Sequence, residues 1–350
     1  GDTAGLERLL ASLEPARVRR LVLLAKTEGT ATANDFGRDL ALVTMHRAVE
    51  RAGGAALLTR TTVICSMGCE GFTAPGVTLL AAMDDDAAAG PRVGGAASAP
   101  LAAGEIGEAG HVEAARAAVA AAMADAGLAP AAVRLVFVKS PVLTADAAVA
   151  LPADRRRWRG DTGRARGVAA LGAGLALGEL GEGAVAAALA GDPTPHARRC
   201  MAFSGAETRR LEAVVLGESV PEAPLGLGET AACAPLTVLT APLAHPLDRA
   251  AIVEALAGAG LGVGADGVVA APERVVASFL KAGIAPDGRI AGERTTVLSS
   301  EVAPDKQLRA AASGFVAGIL GHARSFISGG AEHQAPPGGG LFAAIVRGTP

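Results

Sequence analysis

Cysteine is scarce in this chain: Cys65, Cys69, Cys200 and Cys233 are the four in 350 residues. That excludes a disulfide framework and fits reduced thiols in a cytoplasmic protein. Cys65 and Cys69 have metal-like spacing, but no second Cys or His pair follows at zinc-site distance. They read as small buried hydrophobes, and no metal site is assigned to them. Charge of one sign is also lacking. A formal net charge of −3 leaves no basic stripe, so no nucleic-acid partner is expected. No apolar run reaches the roughly 20 residues that span a bilayer, so no membrane partner is expected. The first ten residues show no basic stretch followed by an apolar one, so no signal peptide is read. With 50% apolar and 19% charged residues, the composition is that of a globular chain, not a disordered one.

Tyrosine is absent, and lysine nearly so. Of 32 basic residues only Lys26, Lys139, Lys281 and Lys306 are lysines. Coding bias toward Arg and Ala accounts for the scarcity but not for which lysines survive. A desolvated lysine can lose its proton and act as a base, whereas arginine stays charged. The surviving lysines are therefore candidates for chemistry.

Three of them close similar apolar runs: Leu21–Ala25 before Lys26, Leu135–Val138 before Lys139, and Val275–Leu280 before Lys281. Such runs read as buried strands, each preceded by a helical stretch and a turn. Downstream, Arg38, Arg166 and Arg309 stand near helix starts. Each helix leads to a strand ending in a Ser/Gly/Glu turn: Ser66–Glu70, Ser204–Glu207 and Ser328–Glu332. A further apolar strand follows each turn, and Gly/Pro/Ala-rich links separate the copies. The chain thus reads as three αβ units, over 1–95, 96–232 and 233–350. They are expected to close around a pseudo-three-fold axis. Closure would gather Lys, Arg and Ser from each unit about one centre.

Serine is a weak nucleophile at neutral pH, and a neutral lysine beside it can take its proton. Glycine in the turn lets backbone N–H groups approach a developing oxyanion. Arginine offers a fork of donors to a carbonyl or an anionic ring oxygen. Acyl transfer at a small cyclic amide is the chemistry these residue types suggest. Glu70, Glu207 and Glu332 read as partners for the arginines or as turn caps.

Lys26-Thr27-Glu28-Gly29 with Asn34-Asp35-Phe36-Gly37-Arg38 resembles the first-repeat signature of the cyanuric acid hydrolase and barbiturase family. Ser328-Gly329-Gly330-Ala331-Glu332-His333-Gln334-Ala335-Pro336 resembles its C-terminal signature, and Lys139-Ser140-Pro141-Val142-Leu143-Thr144 its second-repeat lysine segment. The resemblance covers nearly the whole chain. It implies the three-repeat α/β toblerone fold, with sheets lining a central β-barrel-like core and helices outside, ring-opening hydrolysis of a cyclic amide by a Ser–Lys dyad, no organic cofactor, and a homotetramer. It places Lys26, Lys139 and Lys281 as dyad lysines, and Arg38, Arg166 and Arg309 as substrate clamps. Ser66 and Ser328 become dyad serines, with Met67, Gly205 and Gly329 beside the substrate. The nucleophile and base become Ser204 and Lys139.

The sequence departs from that pattern in the second unit. Ser66 and Ser328 stand four residues before their glutamates, but Ser204 stands three before Glu207, and Phe203 holds the expected place. Either a bulge restores Ser204 to the inner face, or the second dyad is broken and another serine takes over. The alternative reading is an impaired family member that binds a small cyclic ligand. Thr30–Ala33 and Met67 also depart from the family's usual residues near the pocket, which points to a substrate other than cyanuric acid. The resemblance further implies a structural divalent cation held by the segment matching Ala331, Gln334, Ala335, Pro336 and Gly339. The family's carboxylate ligand falls on Gly283, so that site is expected to be weak or empty unless Glu293 substitutes. The histidines, His111 among them, read as surface or satisfied residues. Trp158, within an arginine-rich run, reads as an exposed loop residue.

Overall fold

The computed structural model describes residues 2–29, 35–68, 71–84, 91–218 and 236–348. The first unit contributes α1 (Ala4–Ala11), β1 (Val18–Thr27), α2 (Gly37–Thr59), β2 (Thr61–Met67) and β3 (Gly76–Met83). The second contributes β4 (Pro91–Ala97), α3 (Ala109–Ala126), β5 (Val133–Pro141), α4 (Ala145–Val149), α5 (Thr162–Ala176), α6 (Glu182–Leu189), β6 (Cys200–Gly205) and β7 (Glu212–Glu218). The third contributes β8 (Leu236–Leu243), α7 (Arg249–Gly258), β9 (Val275–Ala282), β10 (Arg289–Ile290), β11 (Glu293–Arg294), α8 (Pro304–Leu320), β12 (Phe326–Gly329) and β13 (Gly340–Arg347).

Three sheets repeat one order: β2-β1-β3, β6-β5-β7-β4 and β12-β9-β13-β8. In each, the lysine-bearing strand lies between a parallel neighbour and an antiparallel one. Both faces of these strands are buried, which is why they read as continuous apolar runs rather than alternating ones. One set of residues packs outward on helices: Leu21 and Leu23 meet α1 and α2, and Val136 and Val138 meet α3 and α5. The alternate set, including Val22, Leu24, Leu135, Phe137, Ala277 and Phe279, joins one apolar cluster drawn from all three sheets. That shared cluster is the molecule's axis. The sheets stay separate and do not form a closed barrel.

The strand β4 lies in a stretch that reads as a Gly/Pro/Ala link, and it pairs with β7. A boundary drawn at residue 95 therefore falls within a strand of the second sheet. Gly94 and Gly95 disguise it, yet Gly94 is required: a Cβ there would collide with the backbone of α3 at Ala122. In the third unit β8 plays the same part, and as an edge strand it tolerates Pro242. Sheet one has three strands among the described residues. The outer edge of β3 there borders a cavity of about 430 Å³ shared with β9 and β12. The helix that carries Arg38 begins at Gly37, and its backbone leaves helical geometry at Gly53 and Gly54. No helix among the described residues is long and apolar enough to cross a membrane.

Candidate active site

Strand register decides which side chains meet. Lys26 is the partner of Ser66 across β1 and β2, and Lys281 is the partner of Ser328 across β9 and β12. Partners on adjacent strands point to the same face, here the axial one. The Lys281 Nζ donates to Ser328 Oγ at 3.0 Å and to the Gly329 carbonyl at 2.8 Å. The Lys26 Nζ donates to Ser66 Oγ at 3.5 Å and to the Met67 carbonyl at 3.2 Å. All four side chains are buried, with Lys281 only 1% exposed.

The second unit differs. Its pairing runs without a bulge, Lys139 facing Phe203 and Ser140 facing Ser204. Phe203 therefore occupies the axial position of Ser66 and Ser328. Its ring packs on Phe326 at 5.2 Å and on Phe137 at 6.3 Å between centroids. Ser204 points to the helix side, where its hydroxyl donates to the Thr162 carbonyl at 2.9 Å. The structure does not bring Ser204 to Lys139, because one residue of offset turns a strand side chain to the opposite face. The Lys139 ammonium instead pairs with the Glu207 carboxylate and donates to the Cys65 carbonyl of the first unit at 2.8 Å.

The arginines link the units in sequence. Arg38 of the first unit reaches Glu207 of the second at 3.1 Å and the Ser204 carbonyl at 3.3 Å. Arg166 of the second makes a bidentate pair with Glu332 of the third, at 2.9 and 2.7 Å. Glu70, which matches Glu207 and Glu332 in the first unit, lies outside the described residues. Arg309 is half-buried on α8. Two glycines make the described pairs possible. A Cβ on Gly205 would collide with the Glu207 carboxylate, and one on Gly330, at φ +78°, with the Arg166 guanidinium. Gly329 lies under the first turn of α8, where a Cβ would stand 3.0 Å from the Asp305 carbonyl. The Met67 side chain lies against Gly29 and Gly37 at the edge of the first-unit loop. Residues 30–33, whose departure from the family pattern bears on substrate choice, lie outside the described residues.

Burial sets the electrostatics. Desolvation drives the Lys281 amine well below the usual lysine range, and the nearby Arg166 charge adds to it. Burial would raise Glu332, but Arg166 and Lys281 outweigh it and hold that carboxyl at about 2. Glu207 behaves likewise: its burial is overcome by Lys139 and Arg38, and its pKa falls below the ordinary carboxylate value.

One polar pair behind the site is not evident from the sequence. Ser140, fully buried, meets His111 Nε2 at 3.0 Å and donates to the Ala165 carbonyl at 2.9 Å. The Gly107 amide donates to His111 Nδ1, so Nε2 carries the proton. Burial, aided by Arg164, lowers this imidazole to about 4. The pair is structural; it fastens β5 to α3 and α5.

The C-terminal loop does not fit a hard divalent cation. Gly283 offers no carboxylate, and Glu293 sits on the exposed β10–β11 hairpin. The Gln334 Oε1 already accepts the Ala202 amide at 2.6 Å. The carbonyls of Ala331, Pro336 and Gly339 accept the amides of Gln334, Gly339 and Gly283. Among the described residues no cluster of three His, Cys, Asp or Glu side chains could hold a metal.

A sequence profile described as "Amidohydrolase ring-opening protein" matches residues 1–347. The cyanuric acid amidohydrolase of Methylobacterium sp. (strain 4-46) is 39% identical, covering 96% of this chain and 90% of that one. A cyclic amide hydrolase of Azorhizobium caulinodans is 34% identical, covering 99% and 96%. The crystal structure of the cyanuric acid hydrolase from A. caulinodans superposes with a TM-score of 0.84 at 32% identity, over 100% of this chain and 96% of that one. With the three-sheet axis and its lysines already in view, these matches place the chain in the ring-opening amidohydrolase family.

Proposed function

We propose that this protein hydrolyses a small cyclic amide (a cyclic imide, ureide or triazine) by a Ser–Lys dyad on the axis of the three sheets. The observation that carries this reading is the buried pair of Lys281 and Ser328, register partners in hydrogen-bond contact. Relatives bearing the names cyanuric acid amidohydrolase and cyclic amide hydrolase support the reaction class. The serine attacks a ring carbonyl and the lysine takes its proton. The lysine then returns the proton to the ring nitrogen as the C–N bond opens. Water next hydrolyses the ester and frees the serine. No organic cofactor enters any step.

The three-fold polar arrangement is incomplete here. Two axial serines face the centre, and Phe203 presents a hydrocarbon ring in the third place. A ring with one apolar edge suits this better than one with three equivalent polar edges, so cyanuric acid itself is not the favoured substrate. Arg38 and Arg166 stand where they can donate to the outer oxygens, since a guanidinium has more N–H donors than a single carboxylate uses. We infer a homotetramer from the family resemblance alone, and light scattering on the purified protein counts the subunits.

The test is hydrolysis by the purified protein of a panel containing cyanuric acid, barbituric acid, succinimide and dihydrouracil. Turnover of at least one ring, best on one with a CH₂ edge, is expected. Thermal stabilisation by a panel member with no ring opened would replace hydrolysis by ligand binding.

A further inference from the structure

We propose that the acting nucleophile and base are Ser328 and Lys281 of the third unit, with Phe203 as the residue that positions and dries that pair. This rests on the ring-opening reading above and assigns its chemistry to one unit.

The second unit is disqualified by geometry. Phe203 stands at its serine position, Ser204 lies on the other face, and the Lys139 ammonium is held by the Glu207 carboxylate. With its Nζ engaged by that carboxylate and by the Cys65 carbonyl, Lys139 is not placed to take a hydroxyl proton. Two pairs remain, and they are not equivalent. Lys281 and Ser328 stand 3.0 Å apart, and Lys26 and Ser66 stand 3.5 Å apart. A proton crosses the shorter contact more readily.

Phe203 explains the difference between them. Its ring face lies 4.9 Å from the Lys281 Nζ, whereas Lys26 lies 5.8 Å from the ring of Phe326. The substitution that removes a serine from the second unit thus walls the third unit's amine from water. Desolvation favours the neutral amine; Arg166 and Lys26 repel a charge there, and Glu332 and Asp305 oppose this without reversing it. The turn after Ser328 remains bare, because the Asp305 backbone leaves no room for a Cβ on Gly329.

The steps balance within these groups and one water. Ser328 Oγ bonds to the ring carbonyl carbon, and its proton passes to the Lys281 Nζ lone pair. The carbonyl electrons move to oxygen and return as the C–N bond breaks, and the ring nitrogen takes the proton from Lys281. Water then adds to the ester carbon and gives one proton to the Lys281 Nζ; the C–Oγ bond breaks, Ser328 Oγ takes that proton back, and the product leaves as the ring-opened carboxylic acid.

The experiment combines turnover with a label that needs no substrate. A fluorophosphonate probe is reacted with the wild type and mapped by peptide mass spectrometry, beside Lys281→Met. The adduct is expected on Ser328 and lost in Lys281→Met. On the best panel substrate, Ser328→Ala should lower kcat by roughly a thousand-fold, Ser66→Ala should act mainly on KM, and Ser204→Ala should change kcat less than about three-fold. Phe203→Leu, which keeps the site apolar but opens a gap over the amine, should move the rising limb of kcat/KM to higher pH. A merely structural role for Phe203 would leave that limb in place. An adduct on Ser66 or Ser204, no adduct on any serine, or Ser328→Ala retaining kcat within ten-fold would overturn the assignment. If the wild type opens no ring on the panel, the ring-opening reading alone fails, and the labelled serine still decides the dyad.

Discussion

Lys139 and Phe203 are register partners across β5 and β6, where the other two units pair lysine with serine. The ring of Phe203 fills the axis between Phe137 and Phe326 rather than pointing into solvent. Phe203→Ala would leave an unfilled volume among three sheets and should destabilise by about 3–5 kcal/mol, with Phe203→Leu costing about 1–2. Urea denaturation followed by circular dichroism measures both, and a loss below about 1 kcal/mol in Phe203→Ala would contradict the packing role.

Glu207 is the counter-charge for two cations from different units. Its side chain is 1% exposed, and it meets Lys139 and Arg38 together. Glu207→Gln leaves a buried ammonium without its partner and should cost about 3–5 kcal/mol. Adding Lys139→Met should recover much of that loss, since the deeply buried cation is then gone and only the less buried Arg38 lacks its carboxylate. A double variant no more stable than the single one would show that the pair is not coupled.

Acid should weaken the second unit through His111. Its folded pKa is about 4, below the ordinary 6.5, so the unfolded chain binds the extra proton first. The stabilisation is fully present above pH 6.5 and is lost as pH falls through about 4, a change of about 3 kcal/mol. Comparing the pH dependence of stability in the wild type and His111→Phe isolates it: the variant's curve should be flatter between pH 6.5 and 4.

The C-terminal loop is held by its own amides, with Gly283, Gly339 and Gln334 donating within it. A chelator should therefore leave Tm unchanged within about 1 °C, a shift well under the several degrees that 1 kcal/mol gives a small domain. A clear drop in Tm, reversed by added divalent cation, would show a bound ion that these donors do not suggest.

Much of this site is legible in the chain. Lysine is so rare that the recurrence of an apolar run closed by Lys26, Lys139 and Lys281 marks the axial positions. Counting back from Glu332 and Glu207 places Phe203 opposite Lys139. What the chain does not declare is the direction of Ser204, because that depends on whether a bulge interrupts β6, and bulges carry no fixed signature. The destination of Glu207 is hidden for a different reason: it pairs across units with Arg38, a contact made only when the sheets come together. β4 escapes notice because its glycines serve the close approach of α3 rather than strand formation.

The most direct measurement is the mass of the protein itself during turnover. The wild type is mixed with its best cyclic substrate, quenched in acid within milliseconds, and analysed intact and after proteolysis. Opening a ring releases no leaving group, so an acyl-enzyme carries the whole mass of the substrate. The expected result is that mass added to the peptide bearing Ser328, absent in Ser328→Ala. Turnover with no such adduct under any quench time, or an adduct on the peptide bearing Ser204, would contradict a serine of the third unit as the nucleophile.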